Sequence, residues 1–129
     1  MTVIQPQEIP LQSESFARPQ ETRDFPKGKV ELIKIGGVTF GRATFQPGWR
    51  WSTHMKAIAG TNSCQAAHLG VQLSGTMHIQ MDDGTVRDLG PGQVVNIPPG
   101  HDAWVVGNEA VVFLDITGME NYAEQKKAA

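Results

Sequence analysis

Cysteine is nearly missing from this chain of 129 residues: Cys64 stands alone. No intramolecular disulfide can form, so Cys64 is a buried small residue, a thiol ligand, a reactive nucleophile or an intermolecular link. Excess charge of either sign is also missing. Eleven Lys and Arg stand against 13 Asp and Glu, for a net charge of −2. That leaves no basic footprint, and no nucleic-acid partner is expected. No apolar run approaches the roughly 20 residues that cross a bilayer, so no membrane partner is expected either. The opening Met1-Thr2-Val3-Ile4-Gln5-Pro6 lacks the charged and apolar regions of a secretory signal, and a cytoplasmic location is the expectation. There is no internal repeat.

What the chain does have is glycine and proline, 14 and 8 residues, clustered between short apolar runs. That distribution predicts many short strands joined by tight turns. Residues 1–29 hold Pro6, Pro10, Pro19 and Pro26 and read as an N-terminal arm, irregular or at most an edge strand. Residues 30–116 read as a barrel and 117–129 as a short tail, a brief helix or a frayed end with little to bury. Within the barrel, Gly36-Gly37 and Asp82-Asp83-Gly84 are hairpin turns, and Gly107-Asn108 is a third turn of hairpin type. Arg50 to Lys56 reads as a strand whose alternation puts Arg50, Ser52, His54 and Lys56 on one face. Cys64 to Ser74 reads as the longest strand, with Cys64, Ala66, His68, Gly70 and Gln72 on one face. About nine short antiparallel strands and no long helix define an all-β sandwich or barrel.

Two stretches then resemble the motifs of the cupins. The first is Gly48, five residues, His54, followed after a gap by His68, six residues and Gly75. The second is Gly92, five residues, Pro98-Pro99-Gly100. The resemblance covers about residues 30 to 116. It implies a double-stranded β-helix (jelly-roll) barrel, commonly dimeric, holding a metal in its interior. The departures are specific. Lys56 stands at the family's second His, His68 at its Glu, and Ala103 at the His of the second motif, with His101 two residues earlier on the same strand face. The insertion from Ala57 to Ala67 is 11 residues long.

The candidate ligands are therefore His54, His68 and His101. Three imidazoles with an open position suit a divalent transition metal: zinc, iron, nickel, manganese or copper. Cys64 is an optional further ligand. It lies about 13 Å from His68 along a straight strand, so it needs a bulge or bend to reach. Arg50, Lys56, Gln72 and Trp104 are candidate substrate contacts, although the Lys56 stem equally well snorkels along the mouth. Phe45, Trp49, Trp51 and Trp104 either wall a ligand pocket or simply pack the core and a dimer contact. His78 faces outward. The acidic residues fall in turns, at outward positions or at the termini, which leaves no evident general acid or base. The expected function is a metal-dependent small-molecule enzyme of dioxygenase, isomerase or lyase type. The alternative is a non-catalytic cupin that binds or senses a small ligand around a structural metal. A homodimer is the expected assembly.

Overall fold

Two successive glycines set the first hairpin. Gly36 and Gly37 have φ of 58° and 77°, the left-handed pair that a two-residue type I′ loop requires. They join β2 (Gly28–Ile35) to β3 (Val38–Phe45), which pair antiparallel over their full lengths. A short strand, β1 (Glu21–Phe25), adds to the free edge of β2. It lies between Pro19 and Pro26, which bound it because neither can donate to a ladder. This computed structural model describes residues 10–124. Residues 1–9 of the expected arm and 125–129 of the expected tail lie outside the described residues.

The remaining strands are β4 (His68–Ser74), β5 (Thr76–Met81), β6 (Val86–Leu89), β7 (Val94–Ile97), β8 (His101–Val106) and β9 (Val111–Asp115). They form two sheets, one ordered β1-β2-β3-β9-β4-β7 and the other β6-β5-β8. The all-β jelly-roll expectation holds. The chain leaves the large sheet for the small one at Gly75, whose φ is 72°. A Cβ there would sit 2.6 Å from the Ala110 carbonyl oxygen, so both conformation and space require glycine. The inward faces of the two sheets bury Val30, Ala43, Phe45, Met77, Ile79 and Val105 as one core.

Four local expectations are corrected. Arg50 to Lys56 is not a strand but two helical turns, α1 (Trp51–His54) and α2 (Lys56–Ala59). The polar residues alternate, but the apolar Trp51, Met55 and Ile58 fall at i, i+4 and i+7, the spacing of one helix face. Trp51 and Met55 are buried on it, and the Asp102 carboxylate accepts the Ser52 amide at 3.0 Å. The strand expected from Cys64 begins only at His68, and Cys64 makes an isolated bridge to His101. Gly107-Asn108 is not a hairpin turn, because β8 and β9 lie in different sheets. The tail does bury something: Met119, Tyr122 and Ala123 pack into the core. Among the described residues no helix is long and apolar enough to cross a membrane.

Candidate metal centre

Both histidines of the site stand at the first residue of a strand, His68 on β4 and His101 on β8, which places the site at one rim of the barrel. Cys64 reaches it because the chain bends between Cys64 and His68 instead of running straight. The Cys64 amide donates to the His101 carbonyl at 2.8 Å, and the Gly100 amide donates to the Cys64 carbonyl at 2.7 Å. These bonds fix the thiol beside the imidazoles. The Cys64 Sγ lies 3.8 Å from His68 Nε2, and one ligand atom from each of Cys64, His68 and His101 falls within 4.8 Å of the others. All three residues are buried.

The outer nitrogens of both rings are held. His101 Nδ1 donates to the Pro98 carbonyl at 2.8 Å, which leaves Nε2 as the lone-pair nitrogen. His68 Nδ1 donates to Asp115 Oδ2 at 2.5 Å. The other Asp115 oxygen accepts the amides of Thr117 and Gly118, each at 2.8 Å. A buried carboxylate so held fixes the tautomer and raises the basicity of the imidazole, the outer-shell arrangement of metal-bound histidines.

Burial acts against charge on each of these groups and is outweighed. Burial pushes the Cys64 thiol upward, but its bonds and charge interactions with His101 and His68 bring it down to about 6. Burial pushes His68 downward, but the Asp115 and Cys64 partners raise it to about 9. Asp115 is held below its ordinary range: burial opposes this, and the bond to His68 leads the groups that prevail. Without a metal the site is thus a thiolate–imidazolium pair backed by a carboxylate. Burial first, and then the charges of Cys64 and Asp115, push the Tyr122 hydroxyl well up.

A sulfur and two nitrogens suit a transition metal. Bonds of about 2.3 Å to sulfur and 2.0–2.1 Å to nitrogen put tetrahedral ligands about 3.4–3.6 Å apart. The sulfur–nitrogen distance of 3.8 Å needs only a small contraction. The donor set fits the group.

The sequence-derived candidates separate in space. His68, His101 and Cys64 are together; His54 is not with them. His54 is half-buried on α1, where its Nδ1 accepts the Arg50 amide at 3.0 Å. Lys56 is exposed on α2. Arg50 and Trp104 lie on the outer side of the small sheet, with the guanidinium 4.2 Å from the indole centroid. His78 stacks on that same indole at 4.3 Å. Trp104 points out because Ala103 and Val105 point in. Of the candidate substrate contacts only Gln72 lines the interior. Asp102 is half-buried beside Arg50 and Ser52.

One residue of the site, Asp115, escapes the sequence reading, in which the acidic residues fall in turns, outward or at the termini. Instead Asp115 is fully buried. The signal was present in the alternation of Val111, Phe113 and Asp115, all inward on β9.

Two spaces adjoin the cluster. An inner cavity of about 40 Å³ lies between the sheets, walled by residues that include Phe45, Trp49, Ile79 and Phe113. An outer vestibule of about 500 Å³ lies between the α1–α2 turns and the segment around Thr117 to Glu124. Trp51, Cys64 and Tyr122 line both. That segment is strapped down by Arg23, whose Nη1 donates to the carbonyls of Glu120 at 2.8 Å and Tyr122 at 3.0 Å.

The fold and this site define a cupin-type β-barrel with a buried sulfur–nitrogen donor set. No protein-family model matches the sequence, and no curated protein matches it. Solved structures do match its fold. A Rhizobium leguminosarum protein of unknown function superposes with a TM-score of 0.58 at 16% identity, over 85% of this chain and 98% of that one. KdgF from Halomonas sp. gives 0.55 at 16% identity, over 79% and 91%. A cupin-like protein from Thermotoga maritima gives 0.50 at 19% identity, over 73% and 70%. These likenesses establish the cupin-type fold alone.

Proposed function

We propose that this chain is a metal-binding cupin that acts on a small molecule, with Cys64, His68 and His101 as its ligands. The observation that carries the reading is the buried set of three donors, two of them imidazoles whose outer nitrogens are already bonded to Asp115 and Pro98. A thiolate among the ligands favours zinc, copper or iron over manganese. Bound there, such an ion supplies Lewis acidity to a molecule in the adjoining cavity. The protein's own part is to fix the imidazoles, keep the thiol ionised and exclude water with Trp51 and Tyr122. Elemental analysis of tag-free wild type beside Cys64→Ser and His101→Ala tests this. Near-stoichiometric metal in wild type, lost in both variants, supports it; no metal after reconstitution sinks it.

A second reading has its own support. The sequence of atoms Cys64 Sγ, His68 Nε2, His68 Nδ1 and Asp115 Oδ2 is also that of a thiol nucleophile with its base and orienting carboxylate. Rapid, stoichiometric alkylation of metal-free protein, with turnover surviving chelation, would favour it over the metal.

A cytoplasmic location agrees with a lone free thiol, which stays reduced there. For the assembly we infer a homodimer. Its support is the outer face of the large sheet, where Leu69, Leu73 and Ile116 are exposed, with Val94 at 78% exposure on the β7 edge. Light scattering at micromolar concentration tests this, and a monomeric mass removes it.

A further inference from the structure

Among the described residues, two buried side-chain polar atoms have no hydrogen-bond partner: Trp49 Nε1 and Gln72 Oε1. Both side chains line the inner cavity, and neither is more than 2% exposed. The Gln72 amide is not reversed. Its Nε2 donates to the carbonyls of Gly75 and Leu89, each at 2.8 Å, so turning it would set oxygen against oxygen and lose both bonds. Unpaired buried polar groups are costly, and a native core rarely keeps them without an occupant that pairs them.

We infer that the inner cavity binds a small uncharged molecule that presents both a donor and an acceptor, of the alcohol or primary amide class. This rests on, and narrows, the metal-site reading above. The donor pairs with Gln72 Oε1 and the acceptor takes the Trp49 N–H. Size follows from the space. One water needs about 10–15 Å³ of such volume, so 40 Å³ admits roughly three waters or an organic molecule of about five non-hydrogen atoms. Charge follows from the lining. No lysine or arginine lines the cavity or the vestibule outside it, and the charged residues of the vestibule are Glu120 and Glu124. In metal-free protein the one cationic group at the cavity, His68, already faces Cys64 and Asp115, so a carboxylate or phosphate would find no free counter-charge there, and burying it unpaired is expensive. The rest of the cavity wall is largely apolar, which accommodates a short hydrocarbon portion.

The test uses full-length protein labelled at its methionine methyls, since Met77 and Met119 both line the cavity. Propionamide, butanone and propionate are titrated into zinc-loaded and metal-free protein. Propionamide offers both donor and acceptor, butanone of similar size only the acceptor, and propionate carries charge. The expected result is a saturable shift of both methyls with propionamide, at least about fivefold tighter than with butanone, and none with propionate in metal-free protein. Trp49→Phe removes a donor that has no partner to lose, and it should weaken propionamide and butanone alike by about fivefold, since both offer the acceptor that takes the Trp49 N–H. Equal binding of propionamide and butanone, binding of propionate to metal-free protein, or no saturable shift (a cavity filled by water alone) overturns the inference. Zinc binding without a propionamide shift leaves the metal reading standing. A propionamide shift without zinc binding removes the metal and keeps the pocket.

Discussion

Asp115 and His68 are 47 positions apart in sequence, and the carboxylate of one holds the ring nitrogen of the other at 2.5 Å in the fully buried floor of the site. The contact exists because β9 lies beside β4 with Asp115 opposite Gly70, two residues along from His68. A Cβ at Gly70 would collide with the Leu114 carbonyl oxygen, so glycine there lets β9 lie this close to β4.

Asp115→Asn is expected to keep the oxygen that accepts from Thr117 and Gly118 while losing the charge beside His68. Outer partners of metal-bound histidines are worth about 10- to 100-fold in affinity. A zinc competition titration should show a loss of that order with the fold retained by circular dichroism. Unchanged affinity would show that Asp115 only packs.

The pH response follows from two opposite shifts. His68 is raised from 6.5 to about 9, so its contribution to stability is complete below 6.5 and lost as pH rises through about 9. Cys64 is lowered from 9.0 to about 6, so its contribution is complete above 9.0 and lost as pH falls through about 6. Between those limits the fall in one contribution offsets the rise in the other, so the melting temperature of metal-free protein should change little from about pH 6 to 9, with thiolate absorbance present across that window. Metal affinity should weaken as pH falls below about 9, where His68 must release a proton to bind, and more steeply below about 6, where protons compete for the sulfur as well. Thiolate absorbance that first appears above about pH 8, the ordinary thiol range, would contradict the ion pair.

Arg23→Ala should loosen the strap over the site. The wild-type guanidinium makes two charge-assisted bonds to the Glu120 and Tyr122 carbonyls, each worth about 1.5–3 kcal/mol. Alkylation of Cys64 in metal-free protein should then accelerate by about tenfold or more. An unchanged rate, read by intact mass against time, would mean that reagents reach the thiol by another route.

His54→Ala should leave metal content at the wild-type level, whereas His68→Ala should abolish it. The His54 ring serves the Arg50 amide on α1, and its loss should cost about 1 kcal/mol of stability at most. Loss of metal in the His54 variant would restore that residue to the ligand set.

The strands, most of the turns and the inward parity of β4 were legible in the chain because alternation and glycine placement act locally. Gly36-Gly37 needs nothing beyond its own backbone to make a hairpin, and the alternation that buries His68 and Gln72 exposes Leu69 and Leu73. The Arg50–Lys56 stretch misled because its polar residues alternate at period two while its apolar ones recur at helical spacing, and burial of Trp51 and Met55 decided between them. Asp115 was hidden inside a run that reads as apolar.

The sequence by itself determined an all-β barrel, the inward faces of His68 and His101, and the lone thiol, since each follows from short-range pattern and composition. Tertiary structure alone decided which groups share the site. Only the bridge between Cys64 and His101 bends the thiol toward the imidazoles, and only the β4–β9 pairing sets Asp115 behind His68. A ligand set is a matter of distances between strands far apart in sequence, and local periodicity carries the face a side chain takes but not the neighbour it meets there.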